Sequence, residues 1–266
     1  MADKPKKDAL ATSEAYPLAV MDPENRLDLA AIAEEVGASP QELMRLLFTR
    51  VKFPSGGGSA FEIENADDPN DPFVEKTIEG VIVTHHPVNV FWKEGFEETG
   101  GGTPPDCVSA DGELGYGDRK PDDEPGAHVC ATCPLNEFGS DPSGGKACQN
   151  RHHLYIMRGD DLIPTLVVLP PTSLRPWRAY ATKSILTRGR KTYGVVTRIG
   201  LEKQKSGDNI EYSRATFALI STLPADQTTF LGKYGADLKS VVAENVPAII
   251  TATATSTGDA GEGEPF

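Results

Sequence analysis

Apolar and polar positions change period several times along this chain, and each change marks an element. Leu29, Ile32, Ala33 and Val36 recur at three- and four-residue steps, which predicts a short helix closed by Gly37. Ser39-Pro40-Gln41-Glu42 then supplies an N-cap, a proline at the first helical position and a glutamate at the third. A second helix follows, with Leu43, Leu46 and Leu47 on its apolar stripe. Together they predict a helical hairpin over residues 26–53. Its second helix offers only Arg45 and Arg50 as cations, so packing or partner docking suits it better than groove reading. Residues 1–25 are small, charged and proline-punctuated and read as disordered. Pro54 to Ser59 reads as a flexible linker.

From Phe73 onward the period is that of strands. Ile78, Val81, Ile82, Val83, Val88, Val90 and Phe91 enrich one run in β-branched residues, with a bend at Pro87. Leu154 to Met157 and Ile163 to Leu169 flank the turn Arg158-Gly159-Asp160-Asp161 and predict a hairpin. Ser173 can N-cap a helix running to Leu186 or Thr187. Strands follow over Thr192 to Glu202 and Ile210 to Leu223, then a helix over Phe230 to Val242. Five strands with one helix between the third and fourth predict a mainly β fold with helices. The expected architecture is an OB-fold-like Greek-key barrel over residues 73–245. A generic α+β sheet is the alternative. After Pro247 the chain turns Thr-, Ala- and Gly-rich, and residues 247–266 read as a flexible acidic tail.

Residues 94–150 keep no period at all. A stretch this long without apolar order needs another stabiliser, and all four cysteines of the chain fall in it, at Cys107, Cys130, Cys133 and Cys148. The Cys130-Ala131-Thr132-Cys133 loop can turn two sulfurs toward one ion, and Cys107 and Cys148 complete a tetrahedral four-sulfur set that suits zinc. No apolar leader follows the charged Met1 to Lys7 segment, so disulfides rank below metal. A redox role needs a βαβ setting that the Gly-, Pro- and Asp-rich surroundings lack. With every cysteine used, the zinc is expected to be structural. His85, His86, His128, His152 and His153 are the candidates to replace a cysteine.

Composition adds one fact that changes the picture. The 266-residue chain carries net charge −13, which by itself argues against a nucleic-acid partner. Yet residues 145–214 hold 13 Lys and Arg against 5 Asp and Glu, a local charge of +8. A basic face and acidic remainder in one chain point to a polyanionic partner. Aromatics are interleaved with those cations, the pattern that binds unpaired bases by stacking and phosphates by charge. The candidate contacts are Phe91, Trp92, Lys93, Arg151, Tyr155, Arg175, Trp177, Arg178, Lys183, Arg188, Arg190, Lys191, Tyr193 and Arg198. Trp92, Tyr155, Trp177 and Tyr193, each beside a cation, lead that set.

The C-terminus supplies a resemblance. Asp259, Glu262, Glu264, Pro265 and Phe266 form an acidic end closed by an aromatic residue. It resembles the tails of bacterial and phage single-stranded-DNA-binding proteins, which dock on replication and repair partners. Some phage members are similar in a second respect, a zinc-stabilised insertion within an OB-fold that uses one C-x-x-C. The likeness is one of plan over residues 73–266. It departs from the family in its four-cysteine set, its longer first spacer and its N-terminal helices. It implies a protein that coats single-stranded DNA during replication or recombination. Glu264, Pro265 and Phe266 would then recruit replication and recombination proteins, in the cytoplasm of a bacterial or phage-infected cell. Self-association stays open.

Enzyme signatures are missing: there is no P-loop, H-E-x-x-H or G-x-S-x-G, and Ala127-His128-Val129-Cys130 lacks the glutamate of a zinc deaminase. No apolar run reaches membrane-spanning length. The non-enzymatic alternative is a zinc-containing adaptor acting through protein contacts.

Overall fold

The computed structural model describes residues 16–21, 29–54, 56–68, 70–94, 104–117, 126–142, 144–207 and 209–256. Helices α1 (Leu29–Val36) and α2 (Pro40–Leu46) come first. The α2 capping box forms: the Glu42 amide donates to the Ser39 hydroxyl at 3.2 Å, and the Ser39 amide donates to the Glu42 carboxylate at 2.8 Å. Strands β1 (Arg50–Lys52), β2 (Phe61–Ile63), β3 (Phe73–Glu75) and the long β4 (Thr77–Phe91) follow. Next are β5 (Cys107–Ser109), β6 (Leu114–Gly117), β7 (Gly126–Val129), β8 (Gln149–Met157) and β9 (Thr165–Leu169). Helix α3 (Pro171–Tyr180) runs on through a π-helical turn at Ala181–Ile185 and a 3-10 turn at Leu186–Arg188. Strands β10 (Val195–Lys205) and β11 (Glu211–Thr222) lead to α4 (Ala225–Ser256).

The strands form one mixed sheet in the order β3-β2-β1-β9-β8-β4-β5-β6-β7, with β10 pairing both β4 and β11. All neighbours are antiparallel except β1 and β9. The long β4 serves two partners: its first residues pair with β10 and the rest with β8. This is a mainly β architecture, but the expected closed barrel does not form among the described residues. Closure would bring β9 beside β11. Instead β1 occupies the second edge of β9, in parallel register Val51 to Val167. The β11 edge meets side chains: the Ala215 amide donates to the Ser173 hydroxyl at 2.9 Å, and the Ser213 hydroxyl donates to the Gly58 carbonyl at 2.7 Å.

Several expectations are corrected by the same contacts. Ser173 is no N-cap; Pro170 precedes the helix, and Ser173 is fully buried in its first turn. Of the supposed linker, residues 56–59 form a turn pinned to β11 through Gly58, with Gly56 and Gly57 at φ 63° and 74°. Strands β1 and β2 were not foreseen, being only three residues each. Residues 16–21, expected to be disordered, lie against the body: the Ala19 amide donates to the Gly159 carbonyl, and Gln227 donates to the Tyr16 carbonyl. Residues 247–256, read as tail, continue α4. The rest of that tail, including Glu264, Pro265 and Phe266, and residues 1–15 and 22–25 lie outside the described residues.

Two cores sit on opposite faces of the sheet. Leu154 and Ile156 of β8 join Ile78, Ile82, Val167, Leu174 and Trp177 on the face covered by α3. Tyr155 and Met157 point the other way and join Val88, Val90, Met44, Phe48 and Val242. A continuous apolar run such as Leu154 to Met157 is the mark of a strand buried on both sides. Helix α4 comes very close to β4: a Cβ on Gly235 would stand 2.1 Å from the Val83 carbonyl oxygen.

Candidate metal centre and nucleic-acid interface

The cysteine module is three short strands and two 3-10 turns hung from the end of β4. Strand β5 pairs with β4 at Phe91 to Cys107, β6 with β5, and β7 with β6. Cys130 opens a 3-10 turn that brings the Cys133 amide to the Cys130 carbonyl. The Cys130 amide donates to the Glu113 carbonyl and the Cys148 amide to the Leu135 carbonyl, both at 2.8 Å. These bonds bring all four cysteines to one cavity, beside Asn89, Phe91 and Gly115. Gly115 forms part of its wall: a Cβ there would stand 3.0 Å from Cys107 Sγ and 3.6 Å from Cys130 Sγ. Only a glycine leaves that space to the sulfurs.

The cysteines are free thiols, and Cys130, Cys133 and Cys148 are buried. Burial first, then the charge of the three neighbouring cysteines, pushes the Cys148 thiol up to about 12. Among the described residues, no group of three or more His, Cys, Asp and Glu side chains is arranged to hold a metal ion. The donor set nevertheless fits a thiophilic ion: four sulfurs share one cavity with no disulfide between them. The module's buried apolar residues, among those described from 92 to 148, are Cys130, Cys133 and Cys148 themselves. Its described residues form no hydrocarbon core of their own.

Four of the five histidines lie away from that cavity, on β4 and β8. His85 Nδ1 is 3.0 Å from His152 Nε2, and both rings pack on Trp177, at 5.1 and 5.6 Å between centroids. His86 and His153 occupy the opposite face with Tyr155. Burial, helped by His86 and Lys239, lowers His85 to about 4. Burial, helped by His85, His86 and Arg178, lowers His152 to about 3. His128 bonds the Gly117 carbonyl at 2.8 Å, at the cavity wall.

The nucleic-acid candidates divide sharply. Tyr155 is 0% exposed and Trp177 2% exposed, so neither ring can stack on a base. Tyr155 is held edge-on by Phe48, and Trp177 lies under α3 against Phe217. Phe91 is buried at the cysteine cavity. Tyr193 is half-buried beneath α4, its ring 2.9 Å from where a Gly232 Cβ would be. Arg151 is buried, bonds Gln149 and lies over the half-buried Trp92 ring at 5.7 Å. Lys93 is 4.0 Å from Asp106. Arg198 bonds Glu79 at 2.8 Å, and Arg190 donates to the Ser184 carbonyl at 3.2 Å.

What is left is coherent. Arg175, Arg178, Lys183, Arg188 and Lys191 are exposed along α3 and the turn after it. Among the described residues they form no ion pair, whereas Arg158, Lys203, Lys205 and Arg214 all do. The reason is local composition: residues 162–201 contain seven Lys and Arg and no Asp or Glu. Helix α3 buries Leu174, Trp177 and Tyr180 and turns its cations outward. Sequence reasoning missed three exposed rings, Phe73 at 57%, Tyr116 at 58% and Phe138 at 59%. Phe73 opens the edge strand β3, and the other two lie in the insertion, where no period announces a face. A lone aromatic in the polar loop Asn136-Glu137-Phe138-Gly139 was the available signal for Phe138.

Comparison with protein-family models, curated proteins and solved structures finds no match. Among the described residues no helix is long and apolar enough to cross a membrane.

Proposed function

We propose that this protein binds single-stranded DNA through the cation ridge of α3 and the following turn. The observation that carries the reading is that Arg175, Arg178, Lys183, Arg188 and Lys191 stand exposed, without acidic partners among the described residues, in an acid-free segment. On a protein of net charge −13 such a row is a local positive surface, and a surface of that kind draws a polyanion. The strand plan supports an OB-like reading. The β4-β8-β9 meander, α3 and the β10-β11 hairpin returning to β4 follow that fold's order, left open between β9 and β11. In this reading the four cysteines hold a structural zinc that stands in for the core their module lacks. The segment ending in Glu264, Pro265 and Phe266 recruits replication or recombination proteins.

Charge reversal tests the ridge. Changing Arg175, Arg178 and Lys183 together to Glu should weaken binding to a labelled single strand. It should also flatten the slope of log affinity against log salt by about 2, at ~0.7 per lost phosphate contact. An unchanged slope would move the binding surface elsewhere. A zinc-containing adaptor is the second reading. Leu114, Tyr116 and Val129, all exposed on the outer face of the β6-β7 hairpin, favour it.

A further inference from the structure

We propose that Phe138, on the cysteine module, is the ring on which a base of the bound strand stacks; this rests on the single-strand reading above. The first argument is exclusion. The α2 and α4 side of the sheet is sealed, with Val88, Val90, Tyr155 and Met157 all at 0% exposure. The ridge has no open ring of its own, because Trp177 is buried and Tyr193 lies half-buried under α4. A strand held by the ridge phosphates must therefore find its stacking partner beyond α3.

The second argument is a polar track that leads there on the α3 side. Trp177 packs on His152, and Arg178 is near enough to help depress that imidazole. Asn150 lies two residues before His152 on the same face of β8, about 6.6 Å away at the rise of an extended strand. Its side-chain Nδ2 donates to Asn89 Oδ1 at 2.7 Å, and its side-chain Oδ1 accepts from Lys146 Nζ at 3.2 Å. Lys146 also bonds Asn136 and lies 5.0 Å from the centre of the Phe138 ring. So a fixed cation and a 59% exposed ring stand together at the end of a line that begins at Arg178. Phosphate on Lys146 and base on Phe138 is the pairing that single-strand sites use. Tyr116 and Phe73 are equally exposed, but Tyr116 belongs to the outer face of β6, away from the cysteine cavity, and Phe73 lies on β3, at the opposite edge of the sheet from the cysteine module and from this line.

The test uses the full chain and a fluorescein-labelled oligothymidylate of about 16 nucleotides, the upper footprint of one OB-type module. Phe138→Ala should weaken binding about tenfold, which corresponds to ~1.4 kcal/mol for one lost stack. The salt slope and the affinity for a duplex of the same length should not change. Phe138→Trp should restore affinity, and its added fluorescence should quench on binding beyond any quench of the unaltered protein. Full affinity in Phe138→Ala, with the ridge charge reversal still damaging, would overturn the assignment and leave the ridge standing. Full affinity in both variants would instead remove the single-strand reading itself.

Discussion

At the scale of single residues, burial decides which side chains keep a surface role. Tyr155, Trp177 and Phe91 sit beside cations in the sequence, yet a sheet with helices on both faces buries them all. The histidines follow the same logic with a measurable consequence. His85, His152 and His153 are depressed chiefly by burial and then by neighbouring histidines, with Arg151, Arg178 and Lys239 adding to it; His86 is depressed by burial and Lys239 against opposing hydrogen bonds to Ala110 and Pro87. The unfolded chain takes up protons near pH 6.5, while folded His85 resists to about 4 and His152 to about 3. Stability is therefore full above about pH 6.5 and falls as pH drops through the window down to those values. His85 alone contributes on the order of 3 kcal/mol of that fall, at ~1.4 kcal/mol per unit. Urea midpoints at pH 7 and pH 4.5 should differ accordingly, and a His85→Asn, His152→Asn variant should lose much of the difference. Equal pH dependence in both proteins would show that other groups carry the acid sensitivity.

Elements are positioned here by close backbone approaches and by side chains that take the place of strand partners. Helix α4 rests on β4 because Gly235 lets its backbone lie against the Val83 carbonyl. Gly235→Ala should destabilise the fold by about 3 kcal/mol, the upper range for overpacking, because backbone on both sides cannot yield. A thermal melt within a degree of the parent would mean the helix can slide. Helix α3 is likewise fixed from beneath, by Ser173 at the β11 edge and by the Tyr180 hydroxyl 2.8 Å from the Thr197 hydroxyl. That anchoring holds the ridge cations in one row. The π-helical turn at Ala181–Ile185 then carries Lys183 onward toward Arg188. Such turns are frequent at functional sites.

At the scale of the whole molecule, a two-faced sheet with its own hydrocarbon cores carries a module that has none. If zinc supplies what that module lacks, stripping the metal should act locally. Chelation after thiol modification should release one zinc per chain. Hydrogen exchange should then become fast across residues 107–148 and stay slow at Val81 to Val83, inside the α4-covered core. Protein that never contained zinc, or exchange unchanged after chelation, would remove the metal from the reading. In the proposed reading, the α3 side and the cysteine module are the surfaces offered to the polyanion, because the described residues of the α2 and α4 face bury Val88, Val90, Tyr155 and Met157.

What the sequence by itself determined is what acts over a few residues. The Ser39-Glu42 capping box, the strands over Leu154 to Met157 and into β9, and the tight Cys130 to Cys133 loop were legible, because local spacing sets them; the burial of Tyr155 within that strand was not. The basic segment was legible as a count. Tertiary structure alone decided which of its cations were spent on acids, since Glu75, Glu79, Glu202 and Glu211 reach their partners across strands. It alone decided that β1 would take the free edge of β9 and keep the sheet open, because a three-residue strand has too little pattern to show its pairing. It alone brought Phe138 to Lys146 and Asn150, since no period joins a loop ring to a strand that begins eleven residues later. Local rules fix elements; which faces meet water is settled only when every element competes for the same core.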